Sequence, residues 1–563
     1  MSSLVILLIA IVVLGGAYLT YGKYLANAWG LDNNKPTPAT TMSDGVDYVP
    51  AKAPVLMGHH FASIAGAGPI NGPIQASVFG WLPVLLWILI GGVFFGAVHD
   101  FGSLFASVRH EGKSIGHVIE MNIGRTGKRL FLAFGWFTLL LVIAAFASIV
   151  QGTFTVTDEM KAAGNLGNGS VATASLLFIV LAILFGFLVY RKNAPLLVSS
   201  VVGIILLGVC IFVGLKAPIT FVSSNVWLVF ILVYIMVACV TPVWILLQPR
   251  DYLNSFLLYA MMLLAVVGVL FTNPTMELSA VTGWKVEGVG TMFPVLFITV
   301  ACGAISGFHS LVGSGTTSKQ IAKESDTKVI GYGAMLIECL LAVLALIAVG
   351  ALGGQQGTPA VTFATGISGF FSVMGMGEGT VSTIFVIITL AVSAFALTSL
   401  DTAARMGRFL FQEFFVNEGE DVKSLTGIRR TLVNPYVATI ITVGLGGLLA
   451  VGGYQKIWPL FGAANQLLAA LALLAVCVWL GRIGKKNFMF YIPMGFMMVA
   501  TMWSLVLTLR TQIGNIIAPT EKTDMMGAVL QVLFAAVLII LAVILVIEGV
   551  KALIDIKNKK VAA

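Results

Sequence analysis

A chain of 563 residues that is 58% hydrophobic and only 10% charged cannot cover itself in water; soluble domains carry roughly 25% charged residues. This excludes a soluble enzyme or binding module and reads as an integral membrane protein. The net charge of +8 is no argument for nucleic acid, because surplus Lys and Arg in a membrane protein collects in cytoplasmic loops.

Taken in chain order, apolar runs long enough to cross about 30 Å of hydrocarbon fall near 3–22, 79–98, 129–151, 171–190, 196–215, 226–247 and 252–272. More follow near 293–313, 328–352, 379–400, 433–452, 456–481, 487–510 and 526–550. The first run has no basic leader region before it and no cleavage signal after it, so it is read as a helix. With segment 55–75 the spacing predicts about 14–15 transmembrane helices in an all-α polytopic fold.

The loops orient these spans. Arg109, Lys113, Arg125, Lys128 and Arg129 share one loop; Arg191 and Lys192, Arg250, and Lys319, Lys323 and Lys328 mark the next. Arg405, Arg408, Arg429, Arg430, Arg482, Lys485, Lys486 and the tail Lys557, Lys559 and Lys560 continue the series, while 152–170, 273–292 and 353–378 are poor in basic residues. The alternation puts the basic loops and the C-terminus in the cytoplasm. The loop 23–54 carries Lys23, Lys35 and Lys52 beside Asp32, Asp44 and Asp47 and is placed inside, so segment 55–75 must cross outward.

That segment, "GHHFASIAGAGPINGP" (58–73), is apolar enough for lipid yet full of poor helix formers. Its "FASIAGAG" (61–68) is echoed by "FHSLVGSG" (308–315), with Phe61/Phe308, Ser63/Ser310, Gly66/Gly313 and Gly68/Gly315 identical. The two copies lie in spans of opposite direction, which is what an inverted repeat predicts. Broken backbone is tolerated at membrane depth only where protein or a cavity surrounds it. Unwinding at Gly66, Gly68, Gly313 and Gly315 would offer N–H and C=O groups to a ligand, Pro69 and Pro73 reinforcing the first break. Close helix packing is the plainer use of any single glycine.

Three of the six histidines, His59, His60 and His309, belong to these segments. They read as proton carriers, as a metal site without a recognised ligand spacing, or as structural imidazoles bonded to opened backbone. In "FALTSLDTAARMGRF" (395–409), Thr398, Ser399 and Asp401 offer hard oxygen ligands to an ion. A central Asp costs roughly 3 kcal/mol on insertion scales. An Asp401–Arg405 pair at i, i+4 fits the same residues. Glu338 is the most deeply placed acid. Asn465 and Gln466 are interhelical glue or cavity lining, and Pro249, Arg250 and Asp251 read as a tight cytoplasmic turn, structural or gating. "GSGTTSK" (313–319) lacks the phosphate-loop pattern. The five cysteines read as small buried hydrophobes.

Together "GHHFASIAGAGPINGP", "LLQPRDYLNSF", "GFHSLVGSGTTSKQ", "TSLDTAARMGR" and "WPLFGAANQL" resemble the carbon starvation protein A family of bacterial inner-membrane transporters, in family order from about residue 50 to 480. The resemblance implies uptake of small nutrients when carbon is scarce, as peptides or, in some members, as pyruvate with protons. It also implies the amino acid–polyamine–cation transporter (LeuT-like) architecture, five plus five helices in inverted repeats with the first and sixth broken. Here 55–75 would be the first, 293–318 the sixth and 379–411 the eighth, pairing carbonyls at Ala65 and Gly66 with Thr398 and Ser399 around a cation. Seven elements, not five, precede the second half, so either two helices are inserted or the repeats are seven plus seven.

The expected organisation is therefore an N-terminal helix and cytoplasmic segment (1–50), a first repeat with linking helices (51–272), a second repeat (273–481) and C-terminal helices with a basic tail (482–563). The expected activity is secondary active import of a peptide or small carboxylate with H+ or Na+, with no cofactor, no assigned metal site, membrane lipid as a partner and no nucleic acid. Substrate would be held by His59, His60, Ser63, Gly66, Gly68, Phe308, His309, Ser310, Gly313 and Gly315. The ion would be held by Ala65, Gly66, Thr398, Ser399 and Asp401. A passive pore would need a continuous filter, and a starvation sensor an output domain; an intramembrane enzyme would need a nucleophile–base pair or zinc motif that the chain lacks.

Overall fold

The computed structural model describes residues 1–562 apart from 45–47, 163, 193, 243–244, 417–419, 421–423, 452–453 and 520–524. Asp47 and the side chains of Arg191, Lys557, Lys559 and Lys560 lie outside the described residues. The described chain is almost wholly helical, as it must be where lipid offers no partner for backbone N–H and C=O groups. The one two-stranded sheet among the described residues is a hairpin in the loop after helix Leu247–Thr272, with Lys285 opposite Thr291.

Twelve helices among the described residues are long and apolar enough to cross a membrane, thirteen with the bent pair Gly427–Val433 and Pro435–Ala450. The fifteen expected segments are all present as helical elements. Two fall outside that count because they are short: helix Ser224–Val240, and the two halves into which segment 55–75 is divided. Two boundaries differ from expectation. The helix expected to end near 98 passes through a π-turn at Gly92–Gly96 and runs on to Arg109. The supposed loop 353–378 contains helix Pro359–Val373, capped by Thr358 and packed against Gly68–Ala76 and Gly333–Ala351.

Burial sorts the helices into a centre and a rim. The apolar window of helix Tyr454–Arg482 is 100% buried, whereas that of the last helix is 22% buried. Around the centre stand two broken segments. The first comprises helix Ala53–Ile64, a gap at 65–67 and helix Gly68–Ala76. Gly66 N–H bonds back to Ile64 O instead of continuing the ladder, and the chain restarts with Pro69, whose missing N–H costs nothing in a first turn. The second comprises helix Met292–Val300, a break at 301–306 that opens with a 3-10 turn at Ala301–Gly303, and helix Gly307–Gly315.

The second break corrects the sequence reading. Gly313 and Gly315 lie inside the restarted helix, and the unwound stretch is 301–306, where Ala301 takes a φ of +43°. The echo at 61–68 and 308–315 is thus out of register with the breaks: Gly66 falls in the first gap and Gly68 opens the helix after it, whereas Gly313 and Gly315 both lie within a helix. An αL-like φ is unfavourable for alanine, so surrounding contacts rather than glycine chemistry hold this hinge.

Candidate functional site

The two breaks meet. A Cβ placed on Gly68 would lie 2.7 Å from both Cβ and Sγ of Cys302, and one on Gly72 would strike the carbonyl of Val300 and come within 2.8 Å of Thr299 O. Gly68 and Gly72, one helical turn apart, are small because the backbone of the second segment occupies that space. The second gap is braced from helix Tyr454–Arg482. Asn465 Oδ1 accepts Phe308 N–H at 2.9 Å, Asn465 Nδ2 donates to Ser306 Oγ at 3.1 Å, and Gln466 Nε2 donates to Phe297 O at 2.7 Å. These amides are therefore struts for an unwound helix.

Helix Glu378–Phe414 closes the other side of the first gap. A Cβ on Gly66 would lie 2.5 Å from Ser399 Oγ and 3.1 Å from Phe146, and Ser399 Oγ donates to Ser63 O at 3.4 Å. Ser399 thus bonds the carbonyl of Ser63, not those of Ala65 and Gly66 to which the sequence reading assigned it. Thr398 bonds none of these: its hydroxyl donates to Asp251 Oδ1 at 3.1 Å and accepts from Asn254 Nδ2 at 2.9 Å. Ser310 is bonded to Gly307 O, and a Cβ on Gly313 would meet nothing nearer than Leu104 at 3.9 Å.

Asp401 is buried, 1% exposed, and its partner is Arg250, not Arg405. Arg250 also donates to Tyr234 Oη at 2.7 Å and Asp251 Oδ1 at 3.2 Å. Arg405 instead donates to the carbonyls of Ala238 and Thr241. Arg250 and Asp251 are thus no surface turn. They sit in the first turns of helix Leu247–Thr272, 1% and 2% exposed, because Pro249 begins a helix there instead of ending one. Two carboxylates and one guanidinium make the cluster net anionic, held by three helices, Ser224–Val240, Leu247–Thr272 and Glu378–Phe414.

A second buried ionisable group lies beside the breaks. His99 Nδ1 is 2.7 Å from Asp100 Oδ1, His309 Nδ1 is 2.7 Å from Asp100 Oδ2, and His309 Nε2 is 3.5 Å from Glu338 Oε2. None of the four is more than 3% exposed, and both Glu338 oxygens lack a hydrogen-bond partner. The sequence reading singled out His309 and Glu338 but passed over His99 and Asp100, which it placed beyond a helix end. The signal was available: an uninterrupted helical pattern, "AVHDFGSLFASV", follows the π-turn. His59, His60 and His309 do not converge; His60 Nδ1 pairs with Thr317 Oγ1 at 2.8 Å. The donor atoms that do converge are Cys302 Sγ, His309 and Glu338, within 4.8 Å of one another. All five cysteines are buried, but Cys302 has polar neighbours, Ser306 Oγ at 3.3 Å and Asn465 Nδ2 at 3.8 Å.

A cavity of ≈ 1460 Å³ opens among the hairpin, the ends of both broken segments and helix Tyr491–Ile517, lined by Gln75, Val289, Pro294, Thr299, Trp458 and Thr508, among others. It reaches Thr299, just upstream of Cys302. The Arg250 cluster stands at the opposite end of helix Leu247–Thr272, since the hairpin follows that helix's last turn.

The profile described as "Carbon starvation protein CstA" matches residues 2–356 and 352–504. The "Peptide transporter CstA" of Bacillus subtilis is 32% identical over 98% of this chain and 97% of its own length. The "Pyruvate/proton symporter BtsT" of Escherichia coli is 32% identical over 88% of this chain and 80% of its own. Among solved structures, a manganese transporter mutant from Eremococcus coleocola aligns at 12% identity over 91% of this chain and 99% of its own, with a TM-score of 0.48.

Proposed function

This chain belongs to the carbon starvation protein CstA family, and on that premise we propose that it imports pyruvate or short peptides by alternating access, coupled to H+ or Na+. It is a transporter of the bacterial inner membrane, not an enzyme. The single observation that carries the reading is the meeting of the two helix breaks, Gly68 against Cys302, deep among buried helices. The helices that restart there, Gly68–Ala76 and Gly307–Gly315, present N-termini whose partial positive charge suits an anion. A carboxylate is the group that pyruvate and peptides share.

In this reading Ser63, Gly66 and Gly68 face substrate from the first break, and Phe308 and Ser310 from the second. Ser399 Oγ, bonded to the carbonyl of Ser63, closes the far wall of the first break. The Arg250–Asp401 cluster closes the end opposite the cavity, so the molecule stands open on the hairpin side. The basic loops put that closed end and the C-terminus in the cytoplasm. Residues 51–272 and 273–481 are read as two oppositely oriented halves of a LeuT-like core with additional helices, because each half contributes one broken segment.

Proteoliposomes loaded with buffer and given labelled pyruvate or a labelled dipeptide, under separately imposed proton and sodium gradients, test the proposal. Saturable accumulation against a gradient is expected with one solute and one ion. Flux that equilibrates without accumulating, under both gradients, overturns it.

A further inference from the structure

We propose that the coupling ion is a proton and that it is carried on the contact between His309 and Glu338, with Asp100 and His99 as the fixed frame. The inference rests on the importer reading and assigns its ion site to residues away from Thr398, Ser399 and Asp401.

The geometry starts from Asp100. Its two oxygens each face a histidine Nδ1 at 2.7 Å, so each imidazole donates there and the carboxylate is held as an anion acceptor. This fixes the ring of His309 and leaves Nε2 facing Glu338. With no proton on that contact, Asp100 and Glu338 give the group a charge of −2. With one, the group is at −1. With two, as imidazolium and neutral acid, it is at zero.

The groups facing it from other elements do not supply a positive charge. They are Cys302 and Ser306 from the second gap, His60 on Thr317 from the first segment, Cys339 beside Glu338, and Asn465. Among the described residues no Lys or Arg bonds any of the four members. Protons alone therefore set the charge, and in a low-dielectric interior an uncompensated charge is the costly state. The stable buried form is the doubly protonated one, and release requires an opening to water. A divalent metal on Cys302 thiolate, His309 and Glu338 would leave one negative charge over, because Asp100 remains an anion. The proton pair leaves none.

The position explains how release would follow transport. Glu338 lies on helix Gly333–Ala351, which packs against Gly68–Ala76, and Cys302 stands between the group and Gly68. Any movement at 301–306 that admits substrate to the breaks also changes what surrounds His309. The Arg250 cluster has a guanidinium between Asp401 and Asp251, a fixed counter-ion that the His309–Glu338 contact lacks.

Two measurements separate this inference from the importer reading. In proteoliposomes, Glu338→Gln should lose at least tenfold in proton-driven pyruvate accumulation while pyruvate counterflow stays within twofold of wild type. Full accumulation by Glu338→Gln overturns the inference, and absence of wild-type flux of both pyruvate and a dipeptide overturns the importer reading. Infrared difference spectra of the purified protein in lipid nanodiscs, taken across a pH titration, need no substrate. A protonated carboxyl band that disappears with rising pH should be present in wild type and missing in Glu338→Gln. Its absence from wild type, its persistence in Glu338→Gln, or one equivalent of bound divalent metal lost in Cys302→Ala overturns the proton assignment.

Discussion

Arg250 donates to the carboxylate of Asp401 from a helix 151 positions earlier in the chain, and both side chains are shut off from solvent. Removing one member of a buried pair typically costs about 3–5 kcal/mol because the other charge is left alone. Asp401→Leu should therefore lower thermal stability by roughly that amount, discounted for the share of Arg250 that Asp251 retains. Asp401→Asn keeps an acceptor for Arg250 and Tyr234, so it should fold with a much smaller loss. Melting curves of the two purified variants check this. Equal destabilisation by both would mean that the pair contributes shape and not charge.

If the same pair closes the cytoplasmic end, Asp401→Asn should raise the accessibility of that end more than it lowers stability. A cysteine introduced at half-buried Thr241, in a background lacking the five native cysteines, should react with a membrane-impermeant maleimide faster when Asp401 is Asn. A rate change of about tenfold corresponds to about 1.4 kcal/mol in the closed–open balance. An unchanged labelling rate would remove the closing role from Arg250 and Asp401.

The glycines divide into two kinds. A side chain at Gly68 would collide with Cys302, and one at Gly72 with the backbone of Val300, whereas Gly313 has room for a methyl group. Gly68→Ala and Gly72→Ala should destabilise the protein by about 1–3 kcal/mol, the usual cost of overpacking, and abolish substrate binding. Gly313→Ala should be tolerated or slightly stabilising, since alanine is a better helix former. Binding by isothermal titration, set beside melting temperature, distinguishes these. Loss of binding in Gly313→Ala would restore that glycine to the site.

That division also shows how much of the molecule could be read in advance. The helices were legible because lipid forces every apolar run of sufficient length into one shape. The first break was legible too, since Gly66 and Pro69 cannot both continue a helix comfortably. The second break was misplaced by about ten residues. Its unwound stretch, "ACGAIS", contains little that disfavours helix, and Asn465 and Gln466, far away in sequence, hold it open. The pairing of Asp401 with Arg250 was hidden for the same reason. A local rule at i, i+4 offered Arg405, and nothing local could reveal that Pro249 begins a buried helix.

Asn465 gives the last prediction. Its side chain satisfies Phe308 N–H and Ser306 Oγ at the start of the restarted helix, where no intrahelical partner exists. Asn465→Leu leaves Phe308 N–H buried and unpaired and Ser306 Oγ with only the weak Cys302 thiol, which costs about 1–3 kcal/mol. Asn465→Asp keeps the acceptor for Phe308 N–H and loses the donor to Ser306, so it should sit between leucine and wild type in stability. Hydrogen exchange resolves where the effect falls: amides at 301–310 should exchange faster in Asn465→Leu, while those of helix Gly333–Ala351 stay protected. Uniform acceleration across both regions would mean that Asn465 supports the whole bundle and not the hinge, and that the unwound stretch is maintained by packing around Ala301 alone.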